Sequence, residues 1–308
     1  MLASITSEHA LSSPREVGRL GWSLAMSYLV EERFAEAIAA TRAAAEAIAG
    51  HHLDDLDALL AMLEMLARAE CDDIVGARAC VDRVLAKGPA TGALREHALS
   101  FYSGVVDYHA GDLGTARAEL TQAMSSLTVH ADHVIGAIAG YYLIRLELAA
   151  GDVPAAIEVG ARLARSASIA ELGTLGPHGR VGYAEALLEA GRHDEARATV
   201  DAALASTRAG EQTVLAASII LARIAAFEGD LGLARVQLDT VSQPGPPTTN
   251  TLLLPAEVDL TFGRAARTAM LASERAFVEL HGGDLVVAAQ AAGVALDHYS
   301  QRGRRGME

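Results

Sequence analysis

Apolar and polar positions along this chain follow the period of an α-helix, and the pattern breaks at a nearly constant interval. Stretches such as Leu94–Ala110, Asp132–Ala150 and Gln212–Glu228 carry apolar residues three and four positions apart, which predicts helices with one buried face. A short polar break follows each, and then a shorter stretch with the same period, as in Thr115–Leu127 and Glu195–Thr207. The breaks share a form: GDLGTARAEL from 111, GDVPAAIEVG from 151, GRHDEARATV from 191, GDLGLARVQL from 229 and GDLVVAAQAA from 283. Weaker copies begin at Glu32 (ERFAEA) and Asp72 (DDIVGA). Successive copies are 40, 39, 40, 40, 38 and 54 residues apart. Five positions into each copy stands an alanine: Ala37, Ala77, Ala116, Ala156, Ala196, Ala234 and Ala288.

A Gly-Asp pair entering an Ala-Arg-rich helix reads either as an anion-binding turn or as a hinge, and the repetition decides for the hinge. Glycine suits the left-handed position that ends one helix, and the following Asp caps the next. Pro154 falls in the first turn of its helix, where a missing N–H costs little. The repeated alanine then marks the crossing of two antiparallel helices. One such pair cannot hide both of its apolar faces, but stacked pairs bury a continuous core. The expected fold is therefore all-α: a right-handed α-solenoid of about seven antiparallel helix pairs. Residues 1–243 hold repeats one to six, and 251–308 hold the last repeat and cap. The segment QPGPPTTN places a loop and a subdomain seam at 244–250, and KGPATG (87–92) is a shorter inter-repeat loop.

Composition agrees with closely packed helices, since half of the residues are apolar while aromatics make up only 4%. The formal charge of −14 repels phosphate backbones and argues against direct nucleic-acid binding by this segment. The basic cluster Arg302, Arg304 and Arg305 is too short to reverse that. The opening MLASITSEHALSSPRE lacks the basic and apolar regions of a signal peptide. The most apolar runs, IGAIAGYYLI (135–144) and VLAASIILA (214–222), stop at Arg145 and Arg223, short of the roughly 18–20 residues that cross a bilayer. The expected setting is cytoplasmic, away from membranes. Cys71 and Cys80 form no disulfide framework or zinc pattern and read as reduced, buried thiols.

The repeats resemble tetratricopeptide repeats. Trp22, Leu24, Ala25, Tyr28, Ala37 and Ala44 lie near that family's large–small pattern, with Trp22 one residue off, and Gly104, Gly111, Ala116 and Ala123 fall in its register. The units are longer than that family's standard repeat. The stretches YAEALLEAGRHDEARATVDAALA (183–205) and ARIAAFEGDLGLARVQLD (222–239) look most like the long-repeat helical region of large ATP-binding LuxR-family regulators of the maltose-regulator-like group. Those regulators carry a nucleotide-binding module upstream and a helix-turn-helix downstream. Here no G-x-x-x-x-G-K-[ST] occurs, and the only lysine, Lys87, precedes a glycine. No recognition helix follows Arg305, although LDHYSQRGRRGME resembles the lead-in to one, so the chain reads as an excised fragment or a stand-alone remnant.

The resemblance implies that the first helix of each pair lines a concave groove. Counting back ten, six and three positions from each turn gives Trp22, Met26, Met62, Phe101, Tyr108, Tyr141, Arg145, Glu185, Arg223 and Phe277 as groove residues. An apolar groove with a few polar anchors suits a small-molecule effector, an amphipathic helix or a peptide; the same residues also suit packing between neighbouring helices. Other candidates have plainer readings. The glycines of ELGTLGPHGRVG (171–182), with His178 and Arg180, read as an anion site at a helix start or, better, as an inter-repeat loop. His130 and His133 have metal-ligand spacing without a nameable third ligand, and His51, His52 and His193 belong to turns. Asp72 and Asp73 argue against a reactive Cys71. No nucleophile elbow, paired carboxylates or cofactor fingerprint appears, so no catalytic residue, metal site or cofactor is expected. The leading expectation is a non-enzymatic ligand- or partner-binding solenoid, the sensing or interaction region of a LuxR-type transcriptional regulator. The alternatives are a stand-alone interaction scaffold and an enzyme of specialised metabolism using the groove as a substrate chamber. Exposed edge units also allow a homodimer.

Overall fold

The computed structural model describes residues 13–30, 33–71, 73–86, 93–125, 133–166, 175–206, 209, 211–242 and 261–305. Every regular element among these residues is helical, and the helices alternate as first and second members of seven pairs. They are α1 (Pro14–Val30) and α2 (Phe34–Ile48), α3 (Asp54–Glu70) and α4 (Ile74–Leu85), α5 (Ala93–His109) and α6 (Leu113–Met124). There follow α7 (His133–Ala149) and α8 (Val153–Arg165), α9 (Leu175–Glu189) and α10 (His193–Leu204), α11 (Glu211–Phe227) and α12 (Leu231–Ser242), and α13 (Thr261–His281) and α14 (Leu285–Arg305). The loops expected at 87–92 and 244–250 lie outside the described residues, as do His130 and the first part of the glycine-rich segment at 171–174.

The turn within each pair forms as its sequence requires. Gly111, Gly151, Gly191, Gly229 and Gly283 all have positive φ, between +72° and +83°. The next residue donates its N–H to the carbonyl five positions back: Asp112 to Asp107, Asp152 to Glu147, Arg192 to Leu187, Asp230 to Ala225 and Asp284 to Glu279. Arg33 to Tyr28 and Asp73 to Arg68 repeat the bond in the first two turns. This closure satisfies carbonyls that a helix end leaves without partners. In five turns the Asp side chain then caps the second helix, as where Asp152 accepts the N–H of Ala155 at 3.1 Å and Asp230 that of Leu233 at 2.9 Å. Arg33 and Arg192 replace that Asp in the other two turns and bind the carboxylate three residues on, Glu36 and Glu195. All seven repeated alanines are buried.

The chain divides into two compact units, one of Met1–Glu119 with Arg302–Glu308 and the other of Leu120–Gln301. In the first unit α1, α3 and α5 contact in succession, while α2 and α4 each pack on the first helices to either side. Its core includes Ala44, Ile48, Leu56 and Leu60 across α2 and α3. The unit also encloses a carboxylate: Glu64 on α3 is buried and accepts from Arg42 of α2 at 2.9 Å, Arg68 of α3 at 2.8 Å and Arg83 of α4 at 2.8 Å. A buried charge is tolerable only when paired in this way, so Glu64 ties three helices together. Cys80 packs nearby, and burial followed by the charge of Glu64 pushes its thiol up to about 11. Both cysteines are free, with Cys71 half-buried and Cys80 buried.

In the second unit α7, α9, α11 and α13 contact in succession and form one layer, and α8, α10 and α12 bridge neighbouring members of it. Leu187, Val200, Ile220 and Ile224 centre one part of its core, and Ala226, Leu238, Leu271 and Val278 another. Close approach uses small residues: a Cβ on Gly160 of α8 would lie 2.6 Å from the Tyr183 ring on α9. No helix among the described residues is long and apolar enough to cross a membrane.

Candidate functional site

The first helices of the second unit bring together five of the expected groove residues and supply others that join them. Tyr141 and Arg145 stand on α7, Glu185 on α9, Arg223 on α11 and Phe277 on α13. The Arg145 guanidinium lies 6.0 Å from the Tyr141 ring and 5.9 Å from that of Tyr142. Arg223 donates to Glu189 of α9 at 3.0 Å, approaches Glu274 of α13 at 3.5 Å, and lies 5.2 Å from the Phe277 ring. The Arg223–Glu274 approach is an ion pair without hydrogen-bond alignment, which leaves Arg223 Nε and Glu274 Oε2 buried and without a hydrogen-bond partner. Ion pairs through Arg223 thus join α9, α11 and α13, and Arg145 of α7 acts electrostatically on Glu185 of α9.

Burial dominates the electrostatics of this network. It raises Glu185 above the ordinary carboxylate value; Arg145 and Arg223 pull that value back, and Glu189 pushes it up further. Glu274 is likewise raised, chiefly by burial, against the opposing pull of Arg223. Three carboxylates around two guanidiniums leave the layer short of positive charge, so the half-buried carboxylates are incompletely compensated. Beside them lies an aromatic patch. Phe227, 49% exposed, stacks on His193 at 5.3 Å and meets Phe277 and His281 edge-on at 5.5 and 5.4 Å. The arrangement offers hydrogen-bonding anchors of both signs next to an apolar wall, which is binding chemistry. It sets no nucleophile beside a base.

Glu189, Glu274, Phe227 and His281 were not among the expected residues, yet a signal for them exists. Each lies three or four positions from an expected one on the same helix: Glu189 from Glu185, Phe227 from Arg223, and Glu274 and His281 from Phe277. Residues at that spacing share a helix face.

The first unit places its five expected residues differently. Met62 and Phe101 are each only 1% exposed and belong to the core. Trp22 is exposed at the edge of α1, and Met26 and Tyr108 are half-buried. Tyr108 meets His109 edge-on at 5.3 Å, and His109 Nε2 lies 3.2 Å from Glu70. At the start of α9, Gly176, Pro177 and Arg180 line a cavity of about 70 Å³, and Arg180 there donates to the Ala202 carbonyl at 3.2 Å. The side chains of His133 and His178 lie outside the described residues, and no cluster of three metal-ligating residues occurs among the described ones.

No protein-family model matches the chain, and no curated protein sequence does. Solved structures do resemble it. A Rap protein complexed with Competence and Sporulation Factor superposes with a TM-score of 0.60 at 12% identity, over 94% of this chain and 78% of that one. The Rap conjugation gene regulator of the plasmid pLS20, in complex with the Phr* peptide, gives 0.53 at 12% identity over 94% and 96%. The apo form of RapI gives 0.53 at 9% identity over 82% and 98%. At such identities the likeness speaks for architecture, not for activity. The chain has the all-helical, tetratricopeptide-like solenoid fold of these proteins.

Proposed function

We propose that the chain is a non-enzymatic binding solenoid that holds a peptide or an amphipathic helix on the first helices of its second unit. The observation that carries this reading is the convergence of Arg145, Glu185, Glu189, Arg223 and Glu274 from four helices beside the exposed ring of Phe227. Guanidiniums there suit a carboxylate or backbone carbonyls, the carboxylates suit a basic group or backbone N–H, and Phe227 suits an apolar side chain. Two proteins of the same fold were solved with Competence and Sporulation Factor and with the Phr* peptide, which supports a peptide partner. The finer reading is the sensing region of a LuxR-type transcriptional regulator, in which an occupied site biases the arrangement of attached domains. It rests on the resemblance of 183–205 and 222–239 to that group.

A screen of arrayed short peptides against the purified chain, followed by fluorescence anisotropy on the hits, tests the proposal. Arg145→Gln and Phe227→Ala change exposed side chains, so both variants should still fold while affinity falls about tenfold or more, roughly 1.4 kcal/mol. Hits that bind both variants as tightly as the parent would place the binding surface elsewhere.

A further inference from the structure

Negative charge exceeds positive charge in the layer of first helices, and the excess is local. On α9, α11 and α13 the carboxylates of Glu185, Glu189 and Glu274 face one guanidinium of those helices, that of Arg223. Arg180 and Arg275, also on α9 and α13, are engaged elsewhere, with the Ala202 carbonyl and with Asp239. Arg223 donates to Glu189 at 3.0 Å and approaches Glu274 at 3.5 Å, but Glu274 Oε2 stays buried without a hydrogen-bond partner. Glu185 is half-buried and makes no hydrogen bond or ion pair among the described residues, so Arg145 and Arg223 act on it through their field alone. Carboxylates withdrawn from water with too few partners are costly, and a cation brought among them recovers that cost as binding.

We propose that the partner of this layer is a basic peptide, one of whose lysine or arginine side chains meets Glu185 and Glu274 across α11. This rests on the peptide-binding reading above and commits it to one sign of charge. An acidic side chain would instead compete with Glu189 and Glu274 for Arg223. Burial raises the carboxyls of Glu185 and Glu274, and Glu189 adds to the rise at both, so each gains from a cation beside it. Phe227 stands four positions after Arg223 on α11, about 6 Å along the helix. Its half-exposed ring suits the methylene stem of a long basic side chain, whose charged head is attracted to aromatic faces. Arg145, against the rings of Tyr141 and Tyr142 on α7, is left for the peptide's carbonyl groups. The net charge of −14 draws a basic peptide to the chain and repels an acidic one.

Matched arrays of short N-acetylated peptides test this, each lysine- or arginine-bearing peptide beside a twin with glutamine at that position. Acetylation removes the terminal amine, so the side chain supplies the cation. By fluorescence anisotropy the parent chain should bind the basic member of a pair about tenfold or more tighter than its twin. The double variant Glu185→Gln/Glu274→Gln should lose that preference. Glutamine keeps the size of the side chain, so the variant should fold, as circular dichroism checks. Pairs that bind in a Phe227-dependent way with no preference for the basic member overturn the basic partner and leave the binding layer standing. A preference that survives the double substitution overturns the role of these two carboxylates in the same way. Absence of any peptide binding, or binding indifferent to Phe227→Ala, overturns the peptide-binding reading and this inference with it.

Discussion

Glu274 and Glu185 show at the residue scale how the charged layer of the first helices sets itself against stability. Burial raises both carboxyls above the ordinary value of 4.5. A carboxyl raised on folding gives its full stabilisation below that ordinary value, and the contribution is lost as pH rises through the raised one. Once pH exceeds the raised value, the charged form is held at the fold's expense. Glu274→Gln should therefore melt above the parent at pH 7, with the gap closing below about pH 4, as differential scanning fluorimetry across a pH series can check. Glu64 is a structural tie, since three arginines on three helices bind its carboxylate. Removing it leaves Arg68, the least exposed of the three, with Asp73 as its remaining ionic partner among the described residues and takes the shared carboxylate from Arg42 and Arg83, so Glu64→Ala should cost roughly 3 kcal/mol in urea denaturation. A stabilising Glu64→Ala would contradict that role. The Cys80 thiol, pushed up to about 11 and buried, stays protonated and should resist thiol reagents in the native protein.

At the scale of the element, the turn carries the most legible information in the sequence. A left-handed glycine, a capping Asp and a crossing alanine must occupy fixed offsets, and each tolerates few substitutes, so the repeat emerges from spacing alone. Where Asp is replaced, at Arg33 and Arg192, a salt bridge to the Glu three residues on takes its place. Around Gly191 a Cβ would meet no neighbour, so Gly191→Ala should cost only the left-handed backbone term, about 1–2 kcal/mol. Ala116 is fully buried at its crossing, and Ala116→Leu should cost about 1–3 kcal/mol through overpacking, leaving ligand binding unchanged. Chemical denaturation reads both. The first helices are less legible because they are apolar on more than one side. On α3, Leu60, Ala61, Met62, Leu63, Glu64 and Met65 are all buried, so no periodicity singles out one face. Position ten before the turn points inward at Met62 and Phe101, whereas position six points into the charged layer at Arg145, Glu185 and Arg223. Helical counting alone gives both positions the same weight, and only the packing of neighbouring helices separates them.

For the molecule as a whole, charge and repetition set what the chain engages. A net charge of −14 opposes binding to phosphate backbones, so a gel-shift assay with duplex DNA at physiological salt should show no retardation by this segment. The turns are alike because they set the geometry of each pair, and in the proposed reading the first helices differ because they meet the partner. The central claim is therefore that recognition lies on α7, α9, α11 and α13 and not at the repeated turns. Hydrogen–deuterium exchange of the chain with and without a peptide from the array screen tests this most directly. Protection should gather at 141–145, 185–189, 223–227 and 274–281, with the turn segments from 151, 191 and 229 unchanged. Protection confined to those turns, or to the first unit alone, would contradict it.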